Sequence, residues 1–230
     1  MRDVVVAGPG EVFDVELDAD LMRENERLAR ENADLLERHD VNAIDIMGSI
    51  GSGKTSLLGQ MVRRLKKKCR IAVLEGDLTT TIDSDLIAKH GVKTVQINTG
   101  KECHLDANLV KKALMKIDLA AVDLLFIENV GNLICPAEFP LGSQKRIVVV
   151  SVTEGPYMVV KHPFTFSGAD VVVVNKIDLA RAMKVSIGKI ERDIKRINSR
   201  VQIVRTNCRS GEGVAKVIEA LGIEQLIGAI

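Results

Sequence analysis

The sequence predicts an α/β fold in which a mostly parallel central sheet is covered by helices on both faces. From residue 41 onwards, apolar strand-like runs alternate with helical stretches. The strand-like runs are 42–47, 70–75, 93–97, 123–128, 146–152, 170–174 and 202–206, and the helical stretches are 54–67, 82–90, 105–117, 187–199 and 213–226. Runs that are apolar at nearly every position are typical of parallel strands, because both faces of such strands are buried. Ligands of these sheets bind beyond the C-terminal ends of the strands, so we expect the functional residues in the loops there.

The first forty residues have a different character. Residues 20–39 are polar and helix-prone, with leucines at seven-residue spacing (Leu21, Leu28 and Leu35). Two heptads are too few to indicate a coiled coil, so we expect a helix that lays one stripe on the domain behind it. The sequence therefore predicts an N-terminal extension over residues 1–40 and a single domain over residues 41–230. Acidic residues outnumber basic ones by twelve to five in the extension, which argues against a nucleic-acid-binding arm and a nucleic-acid partner.

Composition narrows the class of protein further. The apolar share is 46 % and the charged share 27 %, which is ordinary for a soluble globular protein. No apolar run approaches the roughly 20 residues of a membrane helix, and the N-terminal apolar stretch is too short for a secretory signal. We therefore expect a cytoplasmic protein without membrane insertion. The four cysteines, Cys69, Cys103, Cys135 and Cys208, lack disulfide-scaffold spacing, so each is a reduced thiol, a metal ligand or a core residue.

The strongest motif is the segment Gly48–Thr55, which matches G-x-x-x-x-G-K-[ST] at every position. It follows the predicted strand 42–47 and opens the predicted helix 54–67, and this order of strand, loop and helix is typical of a P-loop NTPase. Backbone N–H groups of such a loop bind phosphates, the lysine reaches the β- and γ-phosphates, and the last hydroxyl can bind Mg²⁺. The predicted nucleotide-binding residues here are Gly48, Gly51, Ser52, Gly53, Lys54, Thr55 and Ser56, and Lys54 is also a catalytic candidate.

A second motif favours GTP over ATP. Asn175, Lys176 and Asp178 form N-K-x-D directly after the strand-like run 170–174. An aspartate can accept hydrogen bonds from both N1–H and N2–H of guanine, a pattern that adenine does not offer. A third loop, after the last strand-like run, is expected to close over the base, with Asn207, Cys208 and Arg209 as candidate contacts. A plain surface turn is the alternative for Asn175–Asp178, and the sequence specifies the third loop only poorly.

Two acids at strand ends are candidates for the Mg²⁺ side of the site and for catalysis. Asp77 closely follows the run 70–75, and Glu128 ends the run 123–128 in a Glu-x-x-Gly sequence. A carboxylate there can hold a metal-bound water, and the glycine N–H can contact the γ-phosphate. Either acid could instead cap a following loop. Because no glutamine or arginine stands out as a water-orienting or charge-stabilising residue, we expect intrinsic GTP hydrolysis to be slow.

Thiols and an imidazole follow two of the predicted strands. Cys103 and His104 are adjacent before the helical stretch 105–117, and Cys135 lies in the loop after Glu128. Since both loops leave the same edge of the sheet, the three side chains could meet near the γ-phosphate. Thiolates and imidazole suit zinc or nickel, and three ligands leave room for a water or for a second copy of the chain across a two-fold axis. The residues alone equally allow buried cysteines and a capping histidine.

The residues also leave several functions open. A small-molecule kinase could use the same phosphate loop, but no acceptor site or lid stands out. A mechanical ATPase partner of a membrane transporter is disfavoured by Asn175–Asp178. A metal-binding scaffold that uses GTP only structurally is a non-enzymatic alternative.

Taken together, these motifs resemble those of HypB, the GTPase family that inserts nickel into hydrogenase, in the same class as the urease accessory GTPase UreG. The resemblance covers about residues 41–225 and rests on Gly48–Thr55, Glu75–Asp77, Gly100–Ala107, Glu128–Pro136, Val152–Gly155 and Asn175–Asp178. The Cys-His-Leu-Asp string distinguishes the chain from urease accessory GTPases, which have Cys-Pro-His there. The resemblance implies a P-loop GTPase of the SIMIBI class.

The resemblance also implies a function and partners. It implies a GTP-dependent homodimer that delivers nickel during maturation of nickel–iron hydrogenase, with the hydrogenase large subunit and other maturation proteins as partners. It implies that Cys103, His104 and Cys135 bind Ni²⁺ or Zn²⁺ at the dimer interface. The N-terminal segment lacks the histidine-rich tract and cysteine motif of some members, so we do not expect nickel storage there. Residues 206–209 differ from the Ser-Cys-Lys of many members.

Overall fold

The computed structural model describes residues 15–77, 82–100, 102–223 and 225. Seven strands form one sheet in the order β3-β2-β4-β1-β5-β6-β7, and every neighbouring pair is parallel. The strands are β1 (Asn42–Gly48), β2 (Ile71–Asp77), β3 (Lys93–Asn98), β4 (Leu124–Glu128), β5 (Lys145–Ser151), β6 (Val171–Asn175) and β7 (Gln202–Arg205). The predicted parallel sheet is confirmed, and each predicted strand lies within one or two residues of an observed one.

Helices cover both faces of this sheet, as the sequence predicts. They are α1 (Val15–Arg38), α2 (Lys54–Leu65), α3 (Ile82–Ala88), α4 (Ala107–Leu114), α5 (Cys135–Glu138), α6 (Met158–Lys161), α7 (Pro163–Ser167), α8 (Ile187–Ile197) and α9 (Val214–Ala220). Short 3₁₀ turns occupy 119–121, 152–154 and 177–179. The helices α5, α6 and α7 were not predicted, because four or five residues are too few to show helical periodicity. Within the described residues, no helix has the length and apolar character needed to cross a membrane.

Alternating strand residues build a separate core on each face of the sheet. One face, with Ile44, Phe126 and Val149, packs against α2, α3 and α9. The second face carries two clusters: one packs against α1 and α4 beside β2 and β4, and the other packs against α6, α7 and α8 beside β5 and β6. Because both faces are covered, β4 and β6 are buried at every position, which is why their sequences are uninterrupted apolar runs.

A buried ion pair separates the two clusters of the second face. Asp45 lies on that face between Ala43 of one cluster and Met47 of the other, and its side chain is fully buried. Arg146 Nε contacts Asp45 Oδ2 at 3.2 Å. Burial raises the pKa of Asp45, and the Arg146 charge acts in the opposite direction. Arg146 therefore stabilises the charged form of Asp45 at a buried position where purely apolar neighbours would disfavour it.

Helix α1 is tied to the second face by two buried asparagines. Asn32 Nδ2 donates to the Ala107 and Leu141 carbonyls at 2.8 and 3.1 Å. Asn25 Nδ2 donates to the Pro140 carbonyl at 2.9 Å, and Asn25 Oδ1 accepts from the Ala107 N–H at 2.8 Å. These bonds fix the predicted polar helix at the start of α4. Among the described side chains of α1, the buried ones are Asn25, Ala29, Asn32 and Leu36, whereas Leu21 of the predicted leucine stripe is exposed. Residues 1–14 of the predicted extension lie outside the described residues.

We expect Asn32→Ala to lower the free energy of unfolding by about 2 kcal/mol, because two buried carbonyls lose their amide donor. Denaturant unfolding of the full chain measures this change. Glu37→Ala, at an exposed position of the same helix, is the control and should stay within about 0.5 kcal/mol of the parent. An Asn32→Ala chain as stable as the control would contradict this role for the α1 contacts.

Candidate functional site: a phosphate-loop cavity and a thiol–imidazole cluster

The glycine-rich segment forms a tight loop between β1 and α2. Gly53, directly before α2, has φ 105°, a conformation that favours glycine. A Cβ at Gly53 would overlap the side-chain nitrogen of Asn175, which donates to the Ser52 carbonyl at 2.8 Å. Asn175 of the N-K-x-D motif therefore packs against the phosphate loop, and that packing requires glycine at position 53.

A cavity of about 820 Å³ opens between this loop and the C-terminal ends of the neighbouring strands. The predicted binding residues that line it are Gly51, Gly53, Lys54, Thr55, Ser56, Asp77, Glu128, Lys176, Cys208 and Arg209. The predicted residues that do not line it are Gly48, Ser52, Asn175, Asp178 and Asn207. The structure thus brings the phosphate loop, both acids and part of the base loop to one cavity.

Oxygen atoms suited to a magnesium ion lie close together at the start of α2. Thr55 Oγ1 donates to Glu128 Oε1 at 2.8 Å, and Glu128 is buried. Asp77 is half-buried at the end of β2 and faces the same cavity. Hydroxyl and carboxylate oxygens are the donors that Mg²⁺ prefers, so Thr55, Glu128 and Asp77 fit the predicted Mg²⁺ side of the site.

The N-K-x-D motif organises the loops on the opposite side of the cavity. Asn175 Oδ1 accepts from the Cys208 N–H and the Thr206 hydroxyl, each at 3.0 Å. Lys176 Nζ donates to the Gly51 carbonyl at 2.7 Å. Asp178 is exposed. Asn175 and Lys176 therefore position the two loops, whereas Asp178 is the member of the motif whose carboxylate stays exposed.

The three candidate base-loop residues have different environments. Cys208 is buried, and burial raises the pKa of its thiol, which favours a packing role for that side chain. Asn207 Oδ1 accepts from the Arg209 N–H at 3.1 Å and so stabilises the turn itself. Arg209 is exposed at the cavity wall, where its side chain can approach a bound nucleotide.

Several side chains that hold these loops were not predicted from the sequence. Gln60 Nε2 donates to the Cys208 carbonyl and Arg64 Nη2 donates to the Gly211 carbonyl, both at 3.1 Å. The four-residue spacing of Gln60 and Arg64 places them on one face of α2. That spacing is the sequence feature from which their shared contact with the last loop could have been predicted. Glu154 accepts from the Ser49 hydroxyl at 2.7 Å, and burial raises the pKa of this carboxyl.

The predicted thiol–imidazole residues form a compact cluster on the same edge of the sheet. Cys103 and His104 lie between β3 and α4, and Cys135 is the first residue of α5. The Cys103 and Cys135 sulfurs are 3.0 Å apart, and His104 Nδ1 lies 3.9 Å from the Cys103 sulfur. The three ligand atoms lie within 4.8 Å of one another. These residues converge although 32 positions separate the two cysteines.

The environment of the cluster affects the protonation of its candidate ligands. The hydrogen bond with Cys103 raises the pKa of the Cys135 thiol, and burial raises it further. Burial lowers the pKa of His104, which keeps the imidazole neutral and able to bind a metal. The His104 ring stacks on Phe139, with ring centroids 3.9 Å apart. Two sulfurs and one imidazole nitrogen form a donor set that zinc and nickel accept.

We expect Gly53→Ala to weaken nucleotide binding at least about tenfold, or about 1.4 kcal/mol, because a Cβ would displace the Asn175 amide from the loop. Titration with a fluorescent guanine nucleotide measures the loss. Gly91→Ala is the matched control: Gly91 also has positive φ, but a Cβ there meets nothing within 4 Å. The control should cost about 1–2 kcal/mol of stability and leave nucleotide affinity unchanged; equal affinities in both variants would contradict the prediction.

Comparison with known proteins identifies the family. Residues 42–205 match the CobW/HypB/UreG nucleotide-binding domain. The chain is 52 % identical over 200 residues to a probable hydrogenase maturation factor HypB of Methanocaldococcus jannaschii, covering 87 % of this chain and 90 % of that protein.

Two solved structures have the same fold. A HypB from Archaeoglobus fulgidus has a TM-score of 0.82 and 43 % identity over 87 % of this chain and 98 % of that one. A HypB from Helicobacter pylori in complex with nickel has a TM-score of 0.82 and 31 % identity over 88 % of this chain and 95 % of that one. The chain therefore belongs to the HypB hydrogenase maturation factors of the CobW/HypB/UreG family of P-loop nucleotide-binding proteins.

Proposed function

We propose that this protein is a GTPase that binds nickel at a nucleotide-controlled dimer interface and delivers it during maturation of nickel–iron hydrogenase. The observation that carries the proposal is the gathering of Cys103, His104 and Cys135 within 4.8 Å of one another, on the sheet edge that also forms the phosphate-loop cavity. The nickel complex of the Helicobacter pylori relative supports nickel as the cargo. Zinc is the competing ion, because the same donor set accepts it.

The nucleotide side of the proposal rests on the cavity beside α2. GTP would bind with its phosphates on Gly51–Ser56 and Lys54, and with its base between Asp178 and the loop Asn207–Arg209. Mg²⁺, when bound, would neutralise phosphate charge, and Thr55, Asp77 and Glu128 would hold it directly or through water. Intrinsic hydrolysis would be slow, since no water-orienting glutamine or arginine finger stands out in the sequence.

The metal side of the proposal places a second copy of the chain at the cluster, although a water could also fill a fourth position. The cluster supplies three ligands, whereas a tetrahedral or square-planar ion takes four. A two-fold axis beside the cluster would let each copy contribute ligands to a shared ion. We propose that the GTP-bound state favours this homodimer, so that nucleotide state and metal affinity change together.

The remaining assignments follow from the family. The partners would be the hydrogenase large subunit and other maturation proteins, and the protein would act in the cytoplasm. The domain would comprise residues 41–230, with residues 1–40 as an extension that packs on it through α1. Measurement of steady GTP turnover would separate this GTPase from a metal-binding scaffold that uses GTP only structurally.

We expect Asp178→Asn to weaken GTP binding about 10- to 100-fold, because a hydrogen bond to a charged group contributes about 1.5–3 kcal/mol. The variant should gain affinity for xanthosine triphosphate, since the new amide can donate to the carbonyl that xanthine carries at position 2. Competition against labelled GTP, with ATP included, measures both effects. Asp34→Asn, at an exposed position of α1, should retain parental affinities. An Asp178→Asn chain that still prefers GTP would contradict guanine recognition by this residue.

We expect Cys103→Ala to weaken Ni²⁺ binding about 100-fold or more, since even changes outside the ligand shell cost about 10–100-fold in metal affinity. Nickel titration, followed by sizing with GDP and with a non-hydrolysable GTP analogue, measures binding and dimer formation together. Cys69→Ala is the matched control, because Cys69 is a half-buried free thiol outside the cluster. Parental nickel affinity in Cys103→Ala would overturn the ligand assignment.

A further inference from the structure

We propose that Asn129, acting through Leu105, is the positioning residue that couples the nucleotide cavity to the thiol–imidazole cluster. This inference rests on the proposed function and deepens it, because it assigns the coupling of the two sites to one buried side chain. The contacts that join Asn129 and Leu105 to each other and to their neighbours form the Asn129–Leu105 link.

Asn129 connects the end of β4 to the segment that carries the first two candidate metal ligands. It follows Glu128 directly and is buried with 1 % of its surface exposed. Its Oδ1 accepts from the Leu105 N–H at 3.0 Å and from the Val130 N–H at 3.0 Å. Leu105 is the residue after His104. A shift of the Glu128 strand end is therefore transmitted by a hydrogen bond to the peptide next to the imidazole ligand.

Leu105 connects the same segment to the other acid. Its side chain is fully buried and lies against the backbone of Gly76, where an added Cβ would come within 2.8–3.0 Å of three Leu105 carbons. Gly76 precedes Asp77. The Leu105 side chain thus contacts Gly76, the residue before Asp77, and the Leu105 N–H binds Asn129, the residue after Glu128. Each acid of the cavity therefore lies one residue from a contact with Leu105.

A buried polar chain continues from Asn129 to the third candidate ligand. Asn129 Nδ2 lies 3.5 Å from Asp45 Oδ1, and Asp45 pairs with Arg146 at 3.2 Å. Arg146 Nη1 lies 3.5 Å from the Ala137 carbonyl in α5, the helix that begins at Cys135. The two ends of the chain, Leu105 and Ala137, each lie two residues from a cysteine of the cluster.

The spacing of the two thiols is the property that this series of contacts can change. The two sulfurs are 3.0 Å apart. Two sulfurs bound about 2.3 Å from one ion would be about 3.8 Å apart at a tetrahedral angle and about 3.3 Å apart at a right angle. Binding of one ion by both thiols therefore requires the sulfurs to move about 0.3–0.8 Å apart, through rotation of their side chains or movement of the two loops. The Asn129–Leu105 link joins movement of these loops to Glu128 and Asp77. By linkage, a nucleotide that changes Ni²⁺ affinity through this link has its own affinity changed by Ni²⁺ by the same factor.

The test is a thermodynamic cycle on the full chain. Ni²⁺ affinity is measured with GDP and with a non-hydrolysable GTP analogue, and the ratio of the two affinities is the coupling factor. We expect a factor of about 5–150 for the parent and a factor near one for Asn129→Ala. Because Asn129 also lines the nucleotide cavity, affinity for the GTP analogue without metal is measured for each chain, and the coupling factor is compared only between nucleotide states of the same chain.

Two further variants make the test decisive. Leu105→Val retains the backbone N–H but shortens the side chain over Gly76, and should lower the factor even if Asn129→Ala fails to fold. Asn198→Ala removes an amide that donates to three backbone carbonyls at 3.0–3.3 Å, away from both sites, and should keep the parental factor.

The outcomes separate this inference from the proposed function. A parental factor retained in Asn129→Ala and Leu105→Val overturns the link alone. A factor of one in the parent overturns the link together with the proposed nucleotide control of nickel binding. Loss of the factor in Asn129→Ala with its retention in Asn198→Ala supports the link.

Discussion

The side chain of Asn175 is the interaction on which the nucleotide cavity depends. Its amide nitrogen binds the Ser52 carbonyl of the phosphate loop, and its oxygen binds Thr206 and the Cys208 N–H of the last loop. One buried amide thus joins loops that follow β1, β6 and β7. Gly53 is required by the same contact, because the amide occupies the space of a Cβ. An unsatisfied amide at this position would cost about 1–3 kcal/mol, so the observed arrangement of each loop depends on the other two.

The second face of the sheet contains a comparable constraint beneath the thiol–imidazole cluster. Asp45 and Arg146 form an ion pair between two apolar clusters, and burial raises the pKa of Asp45. Such a pair is weak evidence for stability, because apolar residues of similar volume often stabilise a protein as much or more. Its hydrogen bonds reach Asn129 on one side and α5 on the other. The position of the pair fits the proposed alignment of the two loops that carry Cys103 and Cys135.

Local pattern was sufficient to predict much of the fold, whereas contacts between distant segments were not predictable. The run Val171–Val174 identifies β6, because a strand buried on both faces needs an apolar side chain at every position. The single turn of α5 shows no such pattern. Asn129 carries no sequence signal for its bond to Leu105, because that bond arises only when β4 lies beside β2. Asp178 is the opposite case, because its motif is clear in the sequence but the residue lies outside the cavity lining. Its contact with the base therefore stays a prediction.

The protonation of the cluster determines what capture of a divalent ion requires. The Cys135 thiol has a raised pKa because it shares a hydrogen bond with Cys103 and is partly desolvated, whereas burial lowers the pKa of His104. Burial of His104 therefore favours the neutral imidazole that binds a metal, whereas the raised pKa of Cys135 opposes formation of the thiolate that binds one. Each cysteine that binds the ion must lose its own thiol proton, and loss of both protons removes the hydrogen bond between the sulfurs, which are 3.0 Å apart. Capture of an ion by both thiols thus combines loss of their protons with a change in the spacing of the sulfurs, and the contacts of Asn129 and Leu105 bear on that spacing.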